Sequence, residues 1–196
     1  MDFKLPKYLS REQVKSFFAA VDNPKWRAAF TLIYYYGLRR SELVRLRWED
    51  IDLQSIRITI VRSKSGITKQ YPMEPEVCRE LSEWIRIRGP AWGPLFLNHL
   101  GDPVTIMGIS ERFKHYARIA ELPKKFSVHC LRHSIAVHAL EIGLSVELVQ
   151  DLLGHRNINS TLIYAQVTSK TRTDYCRRIS SELSISSVTQ KADPRR

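Results

Sequence analysis

The run from Ala28 to Leu38 is the most apolar in the chain, and the residues at its two ends say what it must become. Asn23 and Pro24 stand before it, a capping side chain followed by a proline suited to the first helical position, and Gly37 closes it. The stretch is therefore expected to be a helix that runs through Tyr36 and stops at Gly37. A bilayer crossing needs about 20 apolar residues in a row. This run is about half of that, and Tyr34, Tyr35 and Tyr36 interrupt it, so it reads as a helix of a globular core in which the tyrosines pack. The N-terminus, Met1 to Pro6, carries no signal-peptide apolar region. A chain of 196 residues is long enough to bury one good core and too short for two typical domains.

Local signals organise the rest. Ser10-Arg11-Glu12-Gln13 has the form of a capping box, with Val14, Phe17, Phe18 and Val21 at helical spacing behind it. A short helix is expected from about Arg40. Ile56, Ile58 and Ile60 alternate with polar residues as in a half-buried strand. The turn at Ser63-Lys64-Ser65-Gly66 should return it as Thr68 to Met73. Val77, Leu81, Trp84 and Ile85 mark another amphipathic helix. Gly89-Pro90 and Gly93-Pro94 bracket a short strand at Leu95-Phe96-Leu97. From there the pattern is helical, with breaks at Pro123, Gly143 and Gly154 and a polar helix from about Ser169 to Leu183. Residues 184–196 are small, polar or basic and are expected to be a disordered tail. The fold class expected is mainly α with one small antiparallel sheet (α+β), and residues 1–183 form one domain.

Net charge is +11, with a sequence pI near 9.8, which calls for an anionic partner, most commonly nucleic acid. Cys78, Cys130 and Cys176 are odd in number and far apart, so they read as reduced thiols of a cytoplasmic protein, neither disulfides nor zinc ligands.

Two clusters carry the chemistry. One is Gly37-Leu38-Arg39-Arg40-Ser41-Glu42-Leu43. The other runs His129-Cys130-Leu131-Arg132-His133, then Leu152-Leu153-Gly154-His155, then Tyr164, with Arg132 lying 23 residues before His155 and Tyr164 nine after it. Phosphodiester transfer without a metal needs cations on the non-bridging oxygens. A guanidinium suits this, being always charged and able to grip two oxygens at once. Arg39 and Arg132 are the candidates. Arg40 is one step off and should point elsewhere. Glu42, three residues beyond Arg39, can reach back to orient it. His129 and Arg132 share a helix face, with His133 one step round and given no catalytic role; His138 reads as structural. Gly154 should end its helix in a left-handed conformation and turn His155 toward a ligand. Tyr164 carries the phenol whose register with Gly154-His155 singles it out among eight tyrosines.

This ordered set resembles the catalytic domain of the tyrosine recombinases, the phage-type integrases and Xer-like enzymes, over roughly Leu9 to Tyr164. The resemblance implies that Tyr164 is the nucleophile and forms a 3′-phosphotyrosine. Arg39, Arg132, His129 and His155 would surround the phosphate, and Glu42 would orient Arg39. Lys64 on the hairpin would protonate the leaving 5′ oxygen, with Lys69 as its rival, although Ser63 and Ser65 depart from the family's flanking residues. The helix from about Thr105 to Ala120 would offer Arg112, His115 and Arg118 to double-stranded DNA, its apolar face being Ile106, Ile109, Phe113, Tyr116, Ala117 and Ala120. No cofactor or metal is implied, and no membrane. The C-terminal helix would dock on a neighbouring subunit in a tetrameric synapse on DNA, the free chain being mainly a monomer. The family's N-terminal core-binding domain is absent from this reading, which would make the chain either a cut fragment or similar to the naturally short members such as the fimbrial phase-variation recombinases. A type IB topoisomerase-like activity or a non-catalytic DNA-binding relative would be the alternatives. A metallohydrolase is disfavoured, because no H-E-x-x-H occurs and the central histidines lie beside arginines that would repel a cation.

Overall fold

A computed structural model describes residues 6–62, 68–165 and 177. Its first helix, α1 (Arg11–Ala20), opens on the expected capping box, Ser10 accepting from the Gln13 backbone while the Gln13 side chain returns to Ser10. Asn23 and Pro24 start α2 (Pro24–Tyr35), and the chain turns sharply at Gly37 with φ +56°. A short helix, α3 (Arg40–Arg45), follows at once. A three-stranded antiparallel sheet comes next, in the order β1 (Ile51–Asp52), β2 (Arg57–Val61), β3 (Thr68–Pro72). Helices α4 (Pro75–Arg88), α5 (Ile106–Ile119), α6 (His129–Glu141), α7 (Val146–Leu153) and α8 (Asn159–Ala165) complete the described chain. The protein is mainly α with one small antiparallel sheet.

The main core is aromatic. Phe17 of α1, Phe30 of α2 and Phe113 of α5 lock together, with Phe17 4.8 Å from Phe113 and 5.2 Å from Phe30 between ring centres. Val77, Leu81 and Trp84 close it from α4, and Trp84 Nε1 donates to the Leu95 carbonyl at 3.0 Å. A second cluster is built of smaller side chains, Ala136, Val137, Ala139 and Leu140 of α6 against Val149 and Leu153 of α7 and Tyr164 of α8. Between the two, His138 is buried and its Nδ1 meets the Tyr34 hydroxyl at 2.9 Å, the structural part expected of it.

The structure departs from the sequence reading at four places. Ile56 is not in the strand: it is half exposed with φ +54°, and its carbonyl accepts from Met73 as the chain turns into β2. Leu95 and Phe96 are buried, yet the segment makes only isolated bridges, Pro94 with Arg47 and Leu97 with Pro103, because it changes partner between them and neither pairing runs on into a strand. Ile106 is exposed at the first turn of α5, beyond the reach of the core. Strand β1 was not anticipated, because two residues carry no periodicity. The hairpin turn with Lys64, the helix expected over 169–183 (Arg177 apart), Cys176 and the tail 184–196 lie outside the described residues. No helix among the described residues is long and apolar enough to cross a membrane.

Candidate active site

Two buried arginines hold together the ends of two helices. Arg62, the residue after β2, is fully buried, and its Nη2 donates to the carbonyls of Tyr36, at 2.9 Å, and of Leu152. Arg132 of α6 is 1% exposed and does the same one residue further along each helix, to the carbonyls of Gly37 and of Leu153, the latter at 2.8 Å. The ends of α2 and α7 present carbonyls that find no partner within their own helices. Both ends also carry the negative pole of a helix dipole. Two guanidiniums placed between them satisfy those acceptors and offset the cost of burying the cations.

Glu42 supplies the balancing anion. It is 3% exposed and accepts from the Arg39 backbone N–H at 2.9 Å, from Arg39 Nη1 at 2.7 Å and from Arg62 Nη1 at 3.1 Å, with Arg132 Nη1 at 4.0 Å. Burial alone would raise its pKa, but the Arg39 backbone N–H and the charges of Arg62 and Arg39 hold it below the ordinary carboxylate value. Arg39 is thus fixed at the start of α3 while its side chain stays partly open to solvent. Its neighbour Arg40 turns away, donating to Ser110 Oγ of α5 at 2.6 Å.

Close approach at this corner depends on two glycines. A Cβ on Gly37 would stand 2.5 Å from Leu153 Cδ2, and one on Gly154 would stand 2.7 Å from Arg62 Cγ. Both residues have positive φ, the left-handed geometry that glycine adopts without steric cost, and Gly154 ends α7 in that conformation as expected.

Gly154 delivers His155 to Arg132. Arg132 Nη2 lies 3.0 Å from His155 Nε2, and His155 Nδ1 lies 3.0 Å from Thr161 Oγ1. A guanidinium only donates, so His155 Nε2 accepts and Nδ1 carries the proton toward Thr161. Burial, together with Arg132, Arg39, Arg62 and His129, lowers the His155 pKa to about 4, which keeps the ring neutral at pH 7. Arg132 itself is lowered to about 10 by burial and by Arg39, and stays charged. Three of its five N–H groups are taken by Gly37, Leu153 and His155, leaving two for an incoming anion.

On the same helix His129 is exposed, yet the desolvation it does suffer, with Arg132, Arg40 and Arg39 nearby, lowers its pKa to about 4. Its ring meets that of His133 edge-on at 4.5 Å between centres. His133 Nδ1 is 2.7 Å from the Tyr164 hydroxyl, and Tyr164 is 2% exposed. Burial raises the Tyr164 pKa, against the pull of Arg132 and Arg39.

The fold therefore gathers Arg39, Glu42, His129, Arg132, His155 and Tyr164 in one region, where the charges of Arg39 and Arg132 are felt by His129, His155 and Tyr164. Lys69, the rival lysine, is ion-paired with Asp151 at the edge of this region. Arg112, His115 and Arg118 lie on the exposed face of α5, on the helix to which Arg40 reaches. Sequence reasoning missed two participants, Arg62 and His133. The first had a usable signal: Ile58 and Ile60 face inward, and position 62 continues that alternation. Among the described residues no group of three or more His, Cys, Asp or Glu is placed to hold a metal.

Comparison with known proteins gives this arrangement its context. The model of the phage integrase family matches residues 7–171, and the chain belongs to that family. It is 35% identical over 191 residues to tyrosine recombinase XerC of Halalkalibacterium halodurans, covering 89% of this chain and 62% of the relative. It is 34% identical over 174 residues to tyrosine recombinase XerA of Pyrococcus furiosus, covering 85% and 59%. The chain thus spans about three fifths of the length of these relatives. The crystal structure of XerA recombinase matches in fold with a TM-score of 0.76 at 24% identity, over 93% of this chain and 66% of that one. The Tn1549 transposon integrase in complex with transposon right end DNA matches with a TM-score of 0.75 at 22% identity, over 93% and 68%.

Proposed function

We propose that this chain is the DNA-breaking and rejoining domain of a tyrosine-type site-specific recombinase, acting on double-stranded DNA in the cytoplasm without metal or ATP. The observation that carries the reading is the convergence of Arg39, Arg132, His155 and Tyr164, drawn from three helices and a turn, in one cationic corner. The relatives' names support it, and so does the neighbouring integrase held on transposon DNA.

A scissile phosphate enters between Arg39 and Arg132, whose guanidiniums take the charge that grows on its non-bridging oxygens. Glu42 keeps Arg39 aimed. His129 and His155 face the same phosphate, and Arg132 meets it with the two N–H groups not held by Gly37, Leu153 and His155. Tyr164 Oη attacks phosphorus while the bond to the 5′ oxygen breaks, and Lys64 gives that oxygen its proton. The 3′-phosphotyrosine keeps the energy of the broken bond, so the free 5′-hydroxyl can later reverse the step. Arg112, His115 and Arg118 contact the duplex, where the net charge of +11 favours binding that weakens with salt. Assembly into a tetrameric synapse would use residues 169–183.

A nicked suicide substrate, which loses its 5′ fragment after cleavage, tests the reading. The wild-type chain should give a protease-sensitive DNA adduct, and Tyr164→Phe should give none. An adduct persisting in that variant would overturn the assignment, with Tyr175 as the next phenol to examine.

A further inference from the structure

We infer that His133 is the proton acceptor for Tyr164: the imidazole Nδ1 that now accepts the phenolic hydrogen bond takes the proton as Oη bonds to phosphorus. This rests on Tyr164 being the nucleophile. Among the described residues the Tyr164 hydroxyl has one hydrogen-bond partner, His133 Nδ1, at 2.7 Å. The partner is built into the helix that also carries Arg132, so acceptor and phosphate-binding cation move as one rigid unit. His129, the other histidine of α6 at this site, meets the His133 ring edge-on and makes no hydrogen bond to the phenol.

The charges facing His133 explain why the phenol is quiet before DNA arrives. On its own helix stand His129 and Arg132, from the α7–α8 turn comes His155, and Tyr164 faces it from α8; from α2, Tyr34 reaches α6 only at His138. Burial first, then His129, Arg132 and His155, lower the His133 pKa to about 4, so in the free protein it is a weak base beside a buried phenol. A phosphodiester between Arg39 and Arg132 cancels part of that positive field and raises the basicity of His133 where the substrate is bound. In the step itself the proton passes from Oη to Nδ1, the Oη–P bond forms, the P–O5′ bond breaks and O5′ takes its proton from the Lys64 ammonium.

Two experiments test this on the full chain. Nitrogen NMR of the wild-type protein at pH 7 should find His133 Nδ1 bare and Nε2 protonated, and a proton on Nδ1 would overturn the inference. Single-turnover cleavage of the suicide substrate by His133→Asn and His133→Gln should be slower by roughly 10²-fold, within the usual range for a general base. DNA affinity and melting temperature should change little. Around neutral pH, where the wild-type rate is level, the variants' rates should climb about tenfold per pH unit as hydroxide replaces the lost base. Wild-type rates in both variants, or a loss with the wild-type pH profile kept, would overturn it. Because Tyr164→Phe is read separately, a failure of His133 leaves the nucleophile assignment standing, and a persistent adduct in Tyr164→Phe removes both.

Discussion

The two halves of the candidate site are held in opposite ways. The arginine corner is tied from every side: Arg62 and Arg132 each bridge the ends of α2 and α7, and Glu42 joins Arg39 to Arg62. Tyr164 sits on a helix of seven residues, with its hydroxyl anchored, among the described residues, by the single bond to His133. The difference follows from what each half must do. Cations that stabilise developing charge work best when preorganised, because no reorganisation is then needed during reaction. A nucleophile must advance on phosphorus while handing over its proton, and a single hydrogen bond to the group that takes the proton leaves it that freedom.

Breaking the corner should therefore cost the most. Arg62→Met keeps volume but takes from buried Glu42 one of its cationic partners and from the carbonyls of Tyr36 and Leu152 their guanidinium donor. Removing one partner of a buried ion pair typically costs about 3–5 kcal/mol, and urea unfolding should register a loss of that order. A loss under about 1 kcal/mol would mean that the corner is held by packing, and the contrast drawn between the halves would fail.

Acid should separate the halves by pH. His129, His133 and His155 each have a folded pKa lowered to about 4, against an unfolded value near 6.5. Between those values the unfolded chain takes up protons that the folded chain refuses, so stability present above about pH 6.5 declines as pH falls toward 4. Glu42 also has a lowered pKa, but its contribution is complete above about pH 4.3 and is lost only as pH drops through the lower folded value. Melting temperatures at pH 7.5, 6 and 5 should fall before the carboxylate titrates. A flat profile down to pH 5 would show that the imidazoles are not held neutral.

What could be read in advance was local. Caps at Ser10, Asn23 and Gly154 were legible because each is satisfied within a few residues. Of the site, the residues were legible as an ordered set, but the contacts that organise them were not. Arg62 reaches Leu152 across 90 positions, and His133 reaches Tyr164 across 31. Sequence spacing along one helix assigns His129 and Arg132 to one face, yet the fold leaves part of His129 open and buries Arg132, because only α6's inner side meets the ends of α2 and α7. Ile56 shows the same limit on a small scale, since alternation with Ile58 cannot reveal where a tight turn begins.

The lightest change should be Tyr164→Phe, read as stability. The ring stays, and it is the ring that packs with Val149, Leu153 and the alanines of α6 in the second core. The hydroxyl gives one neutral hydrogen bond, whose net value is about 0.5–1.5 kcal/mol. Its loss leaves His133 Nδ1 without that donor, but His133 is only partly buried, so water can replace it and the cost should sit at the low end. The expected shift is thus about 1 kcal/mol or less, in a variant that forms no DNA adduct. Measuring both on one preparation puts the comparison at its sharpest: the residue with the greatest chemical consequence should be among the cheapest to change structurally. A destabilisation as large as that of Arg62→Met would mean that Tyr164 is a structural pillar, and the idea of a lightly tethered nucleophile would have to be abandoned.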